Sequence, residues 1–244
     1  VEGNHGGQHR QLGSVVQAFE TNDDFAYVAG DAAACYQHGP VRRGDKAEVP
    51  EKCSLATRQL VFLLPRHFVI LDRVTSTDAG YQKDWLIHTA HEPAIDGQAF
   101  RADHGDGRMW CRTLLPKDAC LTPVGGPGNE FLAAGKNWTI DARGLRPENL
   151  AMMGQWRVEV TPAEPRKEDV FLHVIQVGDQ QLAAMDPTTM IEEAGRCGVR
   201  LAVGQDTWEV MFHTTGDLGG HLRRTGAAPA IDRPLTSAVQ PQTG

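Results

Sequence analysis

The 244-residue sequence predicts an all-β fold, a large antiparallel β-sandwich of two stacked sheets with very little helix. Its apolar segments are short and rich in β-branched and aromatic residues, which favours strands over helices. Several of them alternate: Trp156, Val158 and Val160 share one face of a predicted strand, and Arg157 and Glu159 share the other. Turns rich in Gly, Asp and Pro separate the segments at short intervals. This combination predicts stacked antiparallel sheets and argues against a parallel α/β fold.

The predicted strands follow one another almost without interruption. In chain order they are 14–19, 25–30, 32–36, 57–64, 67–72, 84–90, 108–115, 119–124, 155–162, 169–177, 199–204 and 207–214. The runs LVFLL and FLHVIQV are apolar at consecutive positions, which predicts strands buried on both faces. Only the segments 147–153 and 187–195 are helix-like, and each would form one or two turns. We expect one domain over residues 1–224, followed by an extended or loosely ordered tail over 225–244.

Composition narrows the class of protein. The net charge of −7 argues against nucleic-acid binding, which normally requires a concentrated basic face. The charge also gives no overall attraction for an acidic polysaccharide, so such a ligand would need a local basic groove. Arg10, Arg42, Arg43, Arg58 and Lys83 are available for one, and the alternative is that they are solvated surface charges. No apolar run approaches the roughly 18 residues of a membrane span. The first residues do not form a signal peptide and do not begin with Met, so we expect a processed product or a piece of a longer polypeptide.

The cysteines leave two alternatives open. They are five in number and have no CxxC spacing, which argues against a zinc ribbon or a redox pair. Cys111 and Cys120 flank a predicted hairpin, and Cys35 and Cys53 flank a polar loop, so each pair is a candidate disulfide. The alternative is that all five cysteines, including Cys197, are reduced buried thiols.

Few motifs in the sequence indicate a catalytic or binding function from the spacing of their residues alone. The segment GGPGNE, 125–130, lacks both the following helix and the GK[ST] element of a phosphate loop, which predicts a plain turn. His5 and His9 lie four residues apart next to Arg10, where they could hold a metal, transfer a proton or neutralise a carboxylate. The alternative is a loop with incidental histidines. His88 and His173 are interpreted as core histidines.

Several segments, taken in order, resemble one family. They are GGQ at 6–8, FAYVAGDAAACY at 25–36, VFLLPRHFVILDRV at 61–74, KDWLIH at 83–88, GGPGNEF and GKNW within 125–138, and WRVEVTP with DVFLHVIQV within 156–177. This ordered set is similar to the C-terminal β region of the heparinase II/III-like polysaccharide lyases. No single segment is specific to this family; the resemblance depends on the order in which the segments occur.

The resemblance implies an enzyme that cleaves next to a uronic acid by β-elimination. The C5 proton is removed and the C4 oxygen leaves, which requires a clamp on the carboxylate, a base and an acid. In this family the proton transfers depend largely on an upstream α/α-toroid, and the β domain adds a histidine from an HxHxD-like motif with a zinc bound nearby. The implied partners are an acidic polysaccharide and that toroid, and the implied location is secreted, periplasmic or at the cell surface.

The sequence departs from the family pattern in its catalytic parts. It contains no toroid, no HxHxD element and no HNT-like histidine, and its tyrosines do not match the catalytic one. The zinc ligands of the family therefore transfer to no residue here, and zinc stays a cofactor of the parent family.

The remaining candidates are residues expected at the edge of a cleft. The catalytic candidates are His5, His9 and Arg10, and the substrate-binding candidates are Gln8, Arg42 and Arg43. The predicted function is to support and line the cleft of an upstream catalytic domain. The alternative is a carbohydrate-binding or structural β-sandwich without chemistry, and a helix-rich region upstream in the reading frame would distinguish the two.

Overall fold

A computed structural model describes residues 7–8, 13–36, 51–138, 146, 149 and 152–240. Strands dominate the described chain, and the predicted all-β antiparallel sandwich is confirmed. A three-residue 3₁₀ helix spans Ala33–Cys35. In the described part of the chain, no helix has the length and apolar character to cross a membrane.

The strands are defined as follows. They are β1 (Val15–Thr21), β2 (Phe25–Asp31), β3 (Cys53–Leu63), β4 (His67–Ser76), β5 (Trp85–Thr89), β6 (Ala94–Asp96), β7 (Ala99–His104), β8 (Gly107–Leu115), β9 (Cys120–Gly125), β10 (Leu132–Ala133), β11 (Lys136–Asn137), β12 (Trp156–Thr161), β13 (Glu168–Asp179), β14 (Thr188–Glu193), β15 (Arg196–Val203), β16 (Asp206–His213), β17 (Gly220–Thr225) and β18 (Ile231–Pro234).

The strands form three main sheets. The large sheet has eight strands in the order β1-β2-β3-β4-β13-β8-β7-β6, and the others have the orders β14-β15-β16-β17-β18 and β5-β12-β9. A small hairpin pairs β10 with β11. Neighbouring strands are antiparallel throughout these sheets, as the short turns between them require.

The large sheet is the middle of three layers. Along β4, Val69 and Leu71 belong to one apolar core, whereas Ile70 between them belongs to another. Because successive strand residues point to opposite faces, the two cores lie on opposite faces of the sheet. The five-stranded sheet covers the first face and the three-stranded sheet covers the second. The runs that are apolar at consecutive positions are therefore buried on both faces, as predicted.

The first core packs the large sheet against the five-stranded sheet. Its fully buried large side chains include Phe25 and Leu63 from one sheet and Phe212 and Leu222 from the other. Burial of a side chain of this size contributes about 1.5–3 kcal/mol. Leu235, which follows β18, is also buried in this core. Residues Ile231–Pro234 thus form the edge strand of the five-stranded sheet and Leu235 packs beneath it, while the domain boundary at residue 224 stays a prediction.

Hydrogen bonds of buried polar groups also stabilise the interface between the large sheet and the five-stranded sheet. The amide oxygen of Gln59 accepts hydrogen bonds from the Tyr27 hydroxyl and the Gly219 backbone N–H, each at 2.7 Å. Arg73, only 5% exposed, donates from Nη2 to the carbonyl oxygen of Gly216 at 2.8 Å. Its Nη1 donates to the carbonyl oxygen of His213 at 3.4 Å. These bonds attach the loop between β16 and β17 to the large sheet.

The second core packs the large sheet against the three-stranded sheet. Phe100, Cys111 and Ile175 of the large sheet contact the layer that contains Trp85 and Val158. The alternation predicted for β12 is confirmed, because Val158 and Val160 are buried there. The three-stranded sheet has no second cover among the described residues, and Leu86 on its outer face is 45% exposed.

Two predicted elements are wrong. Residues 32–36 form a 3₁₀ turn in place of a strand, because the Asp31 carboxylate accepts a hydrogen bond from the Ala33 N–H at 2.8 Å and closes the chain locally. The helix-like segment 187–195 contains β14, which pairs with β15 at the edge of its sheet. The other helix-like segment, 147–153, lies largely outside the described residues.

The cysteines form no disulfide. Cys35, Cys53, Cys111 and Cys197 are buried, and Cys120 is exposed. Neither candidate disulfide is present; the alternative of five reduced buried thiols is confirmed for four of them and is wrong for the burial of Cys120. Burial raises the pKa of Cys197 to about 12, which keeps that thiol protonated at neutral pH.

Candidate functional site

A polar cluster lies on the second face of the large sheet, and its centre is the Arg58–Asp72 pair. Nε of Arg58 donates to one carboxylate oxygen of Asp72 at 2.7 Å, and Nη2 donates to the other at 2.8 Å. The Asp72 side chain is 9% exposed, whereas that of Arg58 is 54% exposed. A buried carboxylate thus orients a guanidinium that remains open to solvent.

The β3–β4 hairpin brings the pair together. Arg58 lies seven residues before Pro65 and Asp72 lies seven residues after it, and the two are direct cross-strand partners. Opposite charges at directly opposed positions stabilise an antiparallel pair of strands. Burial raises the pKa of the Asp72 carboxyl, and the guanidinium of Arg58 opposes this increase. Arg58 therefore favours the ionised form of Asp72.

Tyr36 and Gln8 extend the cluster. The amide Nε2 of Gln8 donates to the Tyr36 hydroxyl oxygen at 3.2 Å. The Tyr36 carbonyl accepts a hydrogen bond from the Lys52 N–H at 3.0 Å, which attaches the end of the 3₁₀ turn to the start of β3. Burial raises the pKa of Tyr36, while the Gln8 amide and the Arg58 charge oppose this shift. At neutral pH the phenol is protonated and can donate a hydrogen bond.

His173 lies in the core under this cluster. It is fully buried, its ring stacks on Trp85 with centroids 3.8 Å apart, and its Nδ1 lies 3.2 Å from the Thr113 hydroxyl. Burial and the positive charge of Arg58 lower the pKa of His173 to about 3. The imidazole is therefore neutral at physiological pH, and its burial separates it from any ligand. The interpretation of His173 as a structural residue is confirmed.

The other site predictions have different outcomes. His5, His9, Arg10, Arg42 and Arg43 lie outside the described residues, so their catalytic and substrate-binding roles stay predictions. Gln8 is described and contacts the cluster through Tyr36, although its role in binding substrate is untested.

Lys83, available by sequence for a basic groove, is buried. Its ammonium lies 3.1 Å from a carboxylate oxygen of Asp169 and donates to the carbonyl oxygen of Arg166. These contacts make Lys83 a structural residue that joins β13 to the loop before β5.

The interpretation of His88 as a core histidine is wrong. Its side chain is exposed on the outer face of the three-stranded sheet, beside Arg157 on the neighbouring strand. The alternation with Leu86 was read correctly, but that face of the sheet points outward. Partial burial and the charge of Arg157 lower the pKa of His88.

The GGPGNE segment is a turn, as predicted. A Cβ atom on Gly126, whose φ is +77°, would lie 2.6 Å from Cζ2 of the Trp156 side chain. Glycine is therefore required here both by the backbone conformation and by the close approach of the indole ring. The segment packs against Trp156 at the start of β12.

The described residues do not fit the zinc that the resemblance to the lyase family implies. Among them, no group of three or more His, Cys, Asp or Glu side chains is placed to hold a metal ion. The sequence also lacks the HxHxD element. We therefore derive no catalytic step that involves that metal.

Sequence reasoning identified Arg58 as available for a basic groove but missed its pairing with Asp72 and its proximity to Tyr36, although a signal for the pairing was present. The turn at Leu64-Pro65-Arg66 fixes the centre of the β3–β4 hairpin, and counting outward from it places Arg58 opposite Asp72. Tyr36 had no comparable signal, because it follows a turn that the sequence suggested was a strand.

The arrangement can bind an anionic group. The side of the guanidinium that carries Nε and Nη2 is used by Asp72, which leaves the N–H groups of Nη1 directed away from that carboxylate. Guanidinium groups bind carboxylates and sulfates through paired, charge-assisted hydrogen bonds. The Tyr36 phenol and the Gln8 amide add neutral hydrogen-bonding groups nearby.

Comparison with known proteins supports the resemblance at the level of fold. No family model matches the sequence, and no curated protein matches it. The structure is similar to that of the heparan sulfate lyase HepC from Pedobacter heparinus, with a TM-score of 0.51, 11% identity, and coverage of 83% of this chain and 28% of that one. It is also similar to a heparinase III gene product, with a TM-score of 0.50, 11% identity and coverage of 82% and 27%.

The matched part of those lyases is their C-terminal region. The chain therefore spans less than a third of the length of these solved structures, and at this identity the likeness shows a shared fold.

Proposed function

We propose that this chain is the C-terminal β-sandwich portion of a polysaccharide lyase that cleaves a uronic-acid-containing polymer by β-elimination. It would support an upstream α/α-toroid catalytic domain and line one side of its cleft. The observation that carries the proposal is the fold shared with heparan sulfate lyases, joined to an exposed guanidinium that a buried carboxylate orients. The parent protein would act where such polymers occur, in a secreted, periplasmic or cell-surface location.

The charge distribution supports a local role in binding. A net charge of −7 gives no general attraction for a polyanion, so binding must come from particular cations. Arg58 satisfies the requirement for a positive clamp on the uronate carboxylate, because Asp72 holds it in place before the ligand arrives. A pre-organised side chain loses less conformational entropy on binding than a free one.

The same cluster lacks a suitable base. The histidine next to it, His173, is buried and neutral, and its lowered pKa makes it a poor proton acceptor at neutral pH. Tyr36 is protonated at neutral pH and could donate a hydrogen bond, but it cannot remove the C5 proton in that state. Catalysis would therefore require groups from outside the described residues.

This leads to a prediction for the isolated chain. It should bind heparan sulfate, measured by affinity electrophoresis at low ionic strength, and should bind the neutral polymer dextran much more weakly. It should also form no unsaturated uronate, measured by the ultraviolet absorbance of that product. Robust formation of unsaturated product by this chain alone would contradict the proposal that the upstream domain is required for catalysis.

A second function stays open because the cluster has the groups of a binding site and lacks an evident base. In this alternative the chain is a carbohydrate-binding or structural module with no associated chemistry. A parent protein that contains the helix-rich upstream region and forms unsaturated product would contradict the alternative. A parent without either would contradict the lyase proposal.

A further inference from the structure

Two exposed histidines meet beside the β7–β8 hairpin. His91 lies in the loop between β5 and β6, and His104 is the last residue of β7. Nδ1 of His104 lies 3.4 Å from Nε2 of His91, and the ring centroids are 5.3 Å apart with a tilt of 31°. Two segments of the large sheet region thus bring two potential ligand nitrogens together at the protein surface.

The spacing of these nitrogens matches that required by a tetrahedral metal site. Zinc binds imidazole nitrogens at about 2.0–2.1 Å, so two such ligands on one tetrahedral ion lie about 3.3–3.4 Å apart. The observed separation of 3.4 Å requires little rearrangement of either side chain. Imidazole is also a preferred ligand of Cu²⁺ and Ni²⁺.

The hairpin that carries His104 is held in place by contacts on both sides. Arg108 donates from Nε and Nη2 to the two carboxylate oxygens of Asp103, at 2.7 and 3.0 Å. Nε2 of Gln180 donates to the carbonyl oxygen of Gly105 at 2.7 Å, which ties the hairpin turn to the turn after β13. The backbone at His104 is therefore fixed before any ion binds.

The loop that carries His91 is fixed in a similar way. The Thr89 hydroxyl donates to the carbonyl oxygen of His91 at 2.7 Å, and Thr89 itself is buried at the end of β5. Because both backbones are held by hydrogen bonds that do not involve the imidazoles, the ring nitrogens remain available for a ligand.

We propose that His91 and His104 form a binding site for a divalent transition-metal ion such as Zn²⁺ or Cu²⁺. The two histidines supply two ligands, and water fills the remaining positions, since the described residues offer no third His, Cys, Asp or Glu in a suitable place. The ion joins the loop before β6 to the end of β7. Binding to the folded state therefore stabilises the protein.

The test uses the 244-residue chain with His5→Gln and His9→Gln as the background, because those histidines are separate metal candidates. Zn²⁺ at about ten times its dissociation constant should raise the melting temperature by about 3–5 °C. Cu²⁺ should give an electron paramagnetic resonance spectrum with two coordinated nitrogens. His91→Gln and His104→Gln should each abolish the shift and leave fewer than two coordinated nitrogens.

The matched control is His88→Gln, which replaces another exposed histidine and should leave the shift and the spectrum unchanged. The proposal is overturned if the double variant His91→Gln/His104→Gln retains the metal-dependent shift. It is also overturned if the background protein binds neither ion at millimolar concentration, in which case the pair is only an imidazole–imidazole hydrogen bond.

Discussion

The two faces of the large sheet use arginine in opposite ways. On the first face, Arg73 is buried and gives its hydrogen bonds to backbone carbonyls of the five-stranded sheet. On the second face, Arg58 binds a buried carboxylate and remains half exposed. The two residues are not far apart, since Arg73 is adjacent in sequence to Asp72, the partner of Arg58. The charged group on the first face is therefore enclosed between two sheets, whereas the charged group on the second face is accessible to a ligand.

At neutral pH, the greatest loss of stability should come from a substitution on the closed face. Arg73→Met removes the charge-assisted hydrogen bonds that the buried guanidinium donates to two backbone carbonyl groups, and we expect the free energy of unfolding to fall by about 3 kcal/mol. Urea unfolding followed by circular dichroism measures this change. At temperatures where the variant is folded, its affinity for heparan sulfate should equal that of the parent chain. A loss of affinity in the folded variant would contradict the purely structural role that we assign to Arg73.

A second prediction concerns pH and the core under Arg58. His173 has a folded-state pKa of about 3, below the value of roughly 6.5 in an unfolded chain. The unfolded state therefore binds more protons between these values, and stability should fall as the pH decreases from 6.5 toward 3. The expected slope from this residue is about 1.4 kcal/mol for each pH unit.

The control for this prediction is His173→Gln, which removes the titrating group. Urea unfolding of both proteins in the same series of buffers should give a smaller pH dependence for the variant. An unchanged slope would show that His173 is not kept neutral by its surroundings.

The smallest effect is expected at the open face, and it concerns binding. Arg58→Ala should weaken binding of heparan sulfate by about tenfold, equivalent to about 1.4 kcal/mol. Arg58→Lys should recover only part of the affinity, because an ammonium cannot reproduce the paired hydrogen bonds of a guanidinium. Affinity electrophoresis compares these variants with Arg66→Ala, which removes an exposed cation at the hairpin turn. Equal losses for Arg58→Ala and Arg66→Ala would mean that only net charge matters.

Much of the fold could be predicted from sequence because its signals are local. The alternation in β12 and the consecutive apolar residues of β4 and β13 reflect burial on one face or on both. The segment that forms β14 was harder, since its glutamates suggested a helix. Its β-branched residues Thr188, Thr189 and Ile191 pair with β15, and charged residues are tolerated there because the strand is at a sheet edge.

The candidate site was less accessible to sequence reasoning because it depends on contacts between distant segments. Counting residues outward from the β3–β4 turn could have predicted the pairing of Arg58 with Asp72, because both residues lie in one hairpin. The contact between Gln8 and Tyr36 joins residues 28 positions apart, with β1 and β2 between them in the chain. The solvent exposure of His88 depends on which face of the three-stranded sheet is covered, and no local pattern encodes that choice.

The absence of disulfides leaves five thiols in the folded chain that differ in their accessibility to reagents. Four thiols are enclosed by the protein, and one, Cys120 at the start of β9, is open to solvent. An alkylating reagent therefore meets one site in the native chain and five after unfolding. The fold itself supplies a single attachment point for a fluorophore, on an edge strand of the three-stranded sheet and without any substitution.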